Sequence, residues 1–195
     1  MKKTIAMGTL AAALAAGYAQ AAPISTTPLQ SATITASYNG QAAGILGLDQ
    51  LYAPVPGSNI TAIDARDSGE VEFLSGDYLF GFDFSHAGLL TVYSNGPVPS
   101  GAYSARFDFG ATLPAAITAF ALLDNSAIGG LPTLEIIDGH TIGLDLSSLT
   151  WSGDYASFTS RIGFDAPAVV PEPAGVALLL TGLAGVALAR RRKQS

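Results

Sequence analysis

The stretch that decides the fold is Tyr78-Leu79-Phe80-Gly81-Phe82-Asp83-Phe84, "YLFGFDF". Aromatic residues stand at every second position, so an extended chain places Tyr78, Phe80, Phe82 and Phe84 on one face and Gly81 and Asp83 on the other. A helix would scatter the same rings around its circumference. The segment therefore reads as a half-buried β-strand. "AYSARFDFG" carries the same pattern, with Tyr103, Ala105, Phe107 and Phe109 opposite Ser104, Arg106 and Asp108.

Outward from these two segments, "TITASY", "ITAIDA", "EVEFL", "LLTVY", "AITAFALL", "TLEII", "TIGLDL" and "ASFTSRIGF" are further strand candidates. Most are separated by turn clusters: Asn39-Gly40, Asp67-Ser68-Gly69, Asn95-Gly96-Pro97 and Asp138-Gly139. Such short strands, with no sustained helical period between the two ends of the chain, predict an all-β fold, an antiparallel β-sandwich that is jelly-roll-like. Gly44 and Gly47 in "AAGILGLDQL" leave room for no more than a short helix there. No internal repeat is apparent.

The chain has 195 residues, enough for one domain with short appendages. Residues 22–165 carry fourteen carboxylates against Arg66, Arg106 and Arg161, a net charge of −11. Such a surface repels polyanions, which argues against nucleic acid as a partner. The absence of cysteine excludes disulfides, thiolate metal sites and cysteine nucleophiles. The fold must rest on burial, and no cofactor is expected.

The two ends speak of destination. Lys2 and Lys3 precede an apolar run from Ile5 to Ala16, and Ala19-Gln20-Ala21 stands just before Pro23. A positive head, a short apolar body and small side chains at the cleavage site describe an export signal over residues 1–21, with signal peptidase cutting after Ala21. At the other end, residues 166–173 form a linker, residues 174–189 an apolar run and residues 190–195 a basic tail with Arg190, Arg191 and Arg192. Positive flanks stay cytoplasmic, so the run reads as a single transmembrane helix with its C-terminus inside. Sixteen residues of helix cover ~24 Å against ~30 Å of hydrocarbon, a span short enough to suit a temporary anchor. Pro171 and Pro173 hold Glu172 in an extended segment just outside it.

Val-Pro-Glu-Pro, then a short span rich in Gly and Leu, then an arginine cluster resembles the PEP-CTERM sorting signal. The resemblance covers about 26 residues and does not touch residues 22–165. It implies an exported protein of a Gram-negative bacterium that makes extracellular polysaccharide. An exosortase would read Pro171, Glu172 and Pro173, with residues 174–189 as the span and Arg190 to Arg192 as the basic stop. The implied route runs through the inner membrane, with a transient anchor there, to the cell surface or extracellular matrix, where extracellular polysaccharide is a candidate partner.

Chemistry-bearing residues in the middle are sparse. His86 and His140 are the only histidines; both stand beside turns, and no Gly-x-Ser-x-Gly elbow accompanies them. "DARDSGEVE" clusters Asp64, Asp67, Glu70 and Glu72 around Gly69, a set of oxygens that suits either calcium or a solvated acidic turn and departs from the EF-hand spacing. Trp151 in "TWSGDYASF" offers a flat ring for stacking on a sugar, with Asp154 and Tyr155 to meet hydroxyls, or else fills core. Asn59-Ile60-Thr61 fits a glycosylation acceptor, which a bacterial source argues against. The reading favoured is a non-enzymatic surface or matrix component. A secreted glycan-acting hydrolase is the alternative, requiring two carboxyl groups in one cleft.

Overall fold

A computed structural model describes residues 27–48, 58–63 and 71–165. All of them belong to one compact unit, Ile24–Pro167. The proposed signal peptide, Asp64, Asp67 and Glu70, the Pro-Glu-Pro motif, the apolar run and the basic tail lie outside the described residues. Among the described residues no helix is long and apolar enough to cross a membrane.

The fold is all-β with antiparallel pairing. Its strands are β1 (Thr33–Tyr38), β2 (Ile45–Gly47), β3 (Ile60–Ala62), β4 (Phe73–Ser75), β5 (Phe80–Phe84), β6 (Leu89–Ser94), β7 (Ser104–Asp108), β8 (Ile117–Asp124), β9 (Ile128–Gly129), β10 (Thr133–Asp138), β11 (Thr141–Asp145), β12 (Thr150–Trp151) and β13 (Ser157–Phe164). The first sheet has the order β10-β11-β7-β1-β3 and the second β2-β4-β5-β6-β13-β8, with β12 and β9 forming a small ribbon.

Alternation builds the core between the two sheets. Phe80, Phe82 and Phe84 of β5 and Phe107 of β7, with Phe109 just beyond it, are buried. Phe107 of the first sheet meets Phe73, Phe82 and Phe84 of the second at ring-centroid distances of 5.6, 5.1 and 4.9 Å. These tilted and edge-on contacts weld the sheets face to face, since they satisfy the ring quadrupoles as well as bury area. Ile34, Ile45, Leu90, Val92, Ile142 and Phe158 complete the layer.

The expected segments and the observed strands differ where tertiary context intervenes. Tyr78, expected on the core face with Phe80, stands instead in the turn before β5, with φ +61 and 58% of its surface exposed. A backbone in the left-handed region ends the extended run, so the period-two pattern cannot reach back to it. The stretch after Gln41 is a single 3-10 turn, Ala42–Gly44, followed at once by β2. Asn39 and Gly40, with φ of 49° and 74°, make the reversal after β1 that an Asn-Gly pair encodes.

Candidate functional site

Four strands of this domain end on aspartate, and each aspartate turns the chain. Asp108, Asp124, Asp138 and Asp145 accept backbone N–H bonds from Gly110, Ser126, His140 and Ser147 at 2.8, 3.0, 2.8 and 2.8 Å. A carboxylate that bonds the backbone two residues on mimics a backbone turn and halts the ladder. Hydrogen bonds to the ionised form hold Asp124, Asp138 and Asp145 below the usual carboxylate range, chiefly through Ser126, His140 and Ser147 respectively.

Asp108, Asp138 and Asp145 end strands of the first sheet, and on its outer face a groove of about 390 Å³ runs across β10, β11, β7 and the end of β1. Register explains its lining. Glu135 lies opposite Gly143, Gly143 opposite Arg106, and Arg106 opposite Ser37. The next row brings Thr133, Asp145 and Ser104 into line. Gly143 leaves the floor open between acid and base. A Cβ there would stand 3.3 Å from Ile137 Cδ1 and 3.8 Å from Glu135 Oε2, so both side chains lean over the gap.

Arg106 is exposed and no ion pair among the described residues holds it. Its charge nonetheless reaches Asp138, where it adds to the lowering of that carboxyl. The groove thus presents a planar fork of donors, two carboxylates as acceptors, and the hydroxyls of Ser37, Ser104 and Thr133 as either. No histidine lines it. Such a set can donate hydrogen bonds to a polar ligand and accept them from it.

The residues singled out from the sequence lie elsewhere. Trp151 is half-buried, its ring 5.4 Å from Phe80 and 6.1 Å from Phe158, and its indole Nε1 is buried with no hydrogen-bond partner among the described residues. Tyr155 is 72% exposed on the following turn, so the two rings do not share one surface. Glu72 is buried, and its Oε2 accepts the Phe84 N–H at 2.7 Å. His86 is buried in the turn between β5 and β6, where its carbonyl accepts the Leu29 N–H at 3.0 Å, whereas His140 is exposed between β10 and β11. Asn59 uses its amide to donate to the Ala36 carbonyl at 2.6 Å. No group of three or more metal-ligating side chains occurs among the described residues.

Arg106 was legible as an outward residue from the alternation in "AYSARFDFG", but its neighbours were not. Glu135, Gly143 and Asp145 join it only because β11 inserts between β7 and β10, an order that no local pattern encodes. What the fold and groove define is an all-β sandwich domain with a polar, mixed-charge face. No protein-family model, curated protein or solved structure matches this chain.

Proposed function

We propose that the chain is an exported, non-enzymatic component of the cell surface or extracellular polysaccharide matrix of a Gram-negative bacterium, and that the groove over Gly143 binds polysaccharide. In this reading signal peptidase removes residues 1–21, the apolar run anchors the chain in the inner membrane for a time, and an exosortase processes it near Pro171, Glu172 and Pro173. The order of these signals along the chain supports the address. The finer description of the sandwich as jelly-roll-like rests on the chain's repeated crossings between sheets, as from β1 to β2 to β3 and from β6 to β7 to β8.

The observation that carries the binding reading is the lining of the groove: Arg106, Glu135 and Asp145 stand with the hydroxyls of Ser37, Ser104 and Thr133 on the outer face of one sheet, a mixed set of donors and acceptors. The alternative, a glycan-acting hydrolase, is favoured by one fact: Glu135 and Asp145 do line the same groove.

Co-sedimentation of the chain with the host's own polysaccharide separates the two. Binding that falls at least tenfold in Arg106→Ala and in Glu135→Ala, with no release of reducing ends, supports the binding role. Release of reducing ends that Glu135→Gln abolishes would make it a hydrolase.

A further inference from the structure

The tetrapeptide Ser-Gly-Asp-Tyr occurs twice, at residues 75–78 and 152–155. Both copies lead into strands of the second sheet, β5 and β13, which stand on either side of β6. They lie at one end of it: Phe80 and Ser157, the first residues of β5 and β13, pair with Ser94 and Tyr93, the last two of β6. The chain just past β6 ties them together. Ser94 N donates to the Ala156 carbonyl at 2.8 Å, Asn95 N to the Leu79 carbonyl at 2.8 Å, and Asn95 Nδ2 to the Tyr78 carbonyl at 3.0 Å.

Both tyrosines share a backbone conformation that a bulky residue rarely adopts, φ +61 at Tyr78 and +60 at Tyr155. Both rings project into solvent, 58% and 72% exposed. Neither hydroxyl is hydrogen-bonded to a described residue and neither ring stacks on one. Strained backbone that displays an aromatic ring outward does nothing for the core, and such strain gathers at ligand clamps. Two turns of identical sequence doing so on either side of one strand constitute a built surface.

We propose that Tyr78 and Tyr155 form a two-ring platform for a neutral glycan chain, distinct from the groove on the first sheet. β5 and β13 are two strand spacings apart, ~9.5 Å, which suits the two turns to meeting two separate sugar residues of one chain. Asn95 follows β6 between them, exposed, with its amide nitrogen engaged by the Tyr78 carbonyl, and its Oδ1 is an acceptor for a ligand hydroxyl. Asp154 is exposed with no described partner and supplies a second acceptor, while Asp77 is held by Ser75 and Tyr38. Acidic glycans are disfavoured by Asp154 and by the −11 charge of residues 22–165. A proline-rich peptide needs a continuous aromatic groove, and here a polar amide interrupts the rings.

Affinity gel electrophoresis of the full chain in dextran, galactomannan or xyloglucan tests this, with alginate and polyproline as controls. Glycine adopts the left-handed region freely, so Tyr78→Gly and Tyr155→Gly remove a ring while relieving the backbone. Retardation in at least one neutral gel, weakened tenfold or more by each glycine variant and retained by Tyr78→Phe, is the expected result. Should a glycine variant lose its β circular dichroism, Tyr→Asn at the same position replaces it, since asparagine tolerates the same backbone. Retardation in no neutral gel, retardation by alginate alone, binding to polyproline instead, or full binding by both ring-deleted variants would overturn the proposal.

Discussion

Tyr38 shows how one side chain joins the two sheets. Its hydroxyl donates to Asp77 Oδ2 at 2.9 Å, while Asp77 Oδ1 accepts from Ser75 Oγ at 2.6 Å and from the Leu79 N–H at 3.1 Å. Ser75 Oγ in turn accepts the Phe80 N–H at 2.9 Å. A β1 residue of the first sheet is thereby bonded to the turn that feeds β5 of the second. Tyr38→Phe removes a hydrogen bond to a charged acceptor and is expected to cost about 1–3 kcal/mol, read as a lower urea midpoint with an unchanged slope. Burial first, and the Asp77 carboxylate second, push the Tyr38 hydroxyl well above the usual tyrosine range, and Tyr93 is raised by burial and by Asp83. Above about pH 10 the unfolded chain loses these protons while the folded chain keeps them. Stability therefore falls as pH rises through that region. Spectrophotometric titration should show these two phenols ionising only as β circular dichroism is lost, and ionisation of all tyrosines before unfolding would contradict the assignment.

Strands are held by what stops them as much as by what they bury. The aspartates that end β8, β10 and β11 titrate below their unfolded values. Their contribution is complete above the unfolded carboxylate range, about pH 4, and is lost as pH falls through the lower folded values. Melting temperature should be flat from pH 8 to pH 5 and drop below pH 4, less steeply in Asp145→Asn than in the wild type. An equal slope in both would remove Asp145 from the effect. β7 carries the other element-scale test. Phe107 is buried against three phenylalanines of the facing sheet, so Phe107→Ala leaves a cavity that neither sheet can close and should cost about 3–5 kcal/mol. Phe107→Leu should cost far less, and comparison of the two denaturation curves checks this.

For the whole molecule, the described domain needs neither disulfide nor thiolate metal, because two sheets bury a continuous aromatic layer between them. A fragment of residues 22–165 is expected to fold alone with a β-type circular dichroism spectrum that chelator does not change. Unfolding on chelation would restore calcium to the acidic segment around Asp64, Asp67 and Glu70. The proposed itinerary is tested at the termini. Mass spectrometry should find the exported chain beginning at Ala22, and a chain from Met1 in the outer fraction would contradict the signal. Glu172→Ala should leave export and insertion intact and trap full-length protein in the inner membrane. Neutralising Arg190 to Arg192 should instead weaken retention if, as proposed, those charges act as the cytoplasmic stop.

Sequence alone determined the fold class, because the alternation of large and small side chains at period two is a local property that one face of a sheet enforces. It placed Ala105, Phe107 and Phe109 on the core face, made Asn39-Gly40 a reversal, and left Arg106 outward. It did not reveal that Tyr78 leaves the core, since a positive φ at one residue is imposed by the turn around it. Nor did it reveal the meaning of the second Ser-Gly-Asp-Tyr, whose four letters were there to be matched with the first. Only the tertiary structure decided that β5, β6 and β13 lie side by side, which turns two distant tetrapeptides into neighbours. The same holds for the groove, where Glu135, Gly143 and Arg106 fall into one row. Strand order depends on which edges pair across long stretches of chain, and that choice is made by the burial of whole faces together, which no single segment carries.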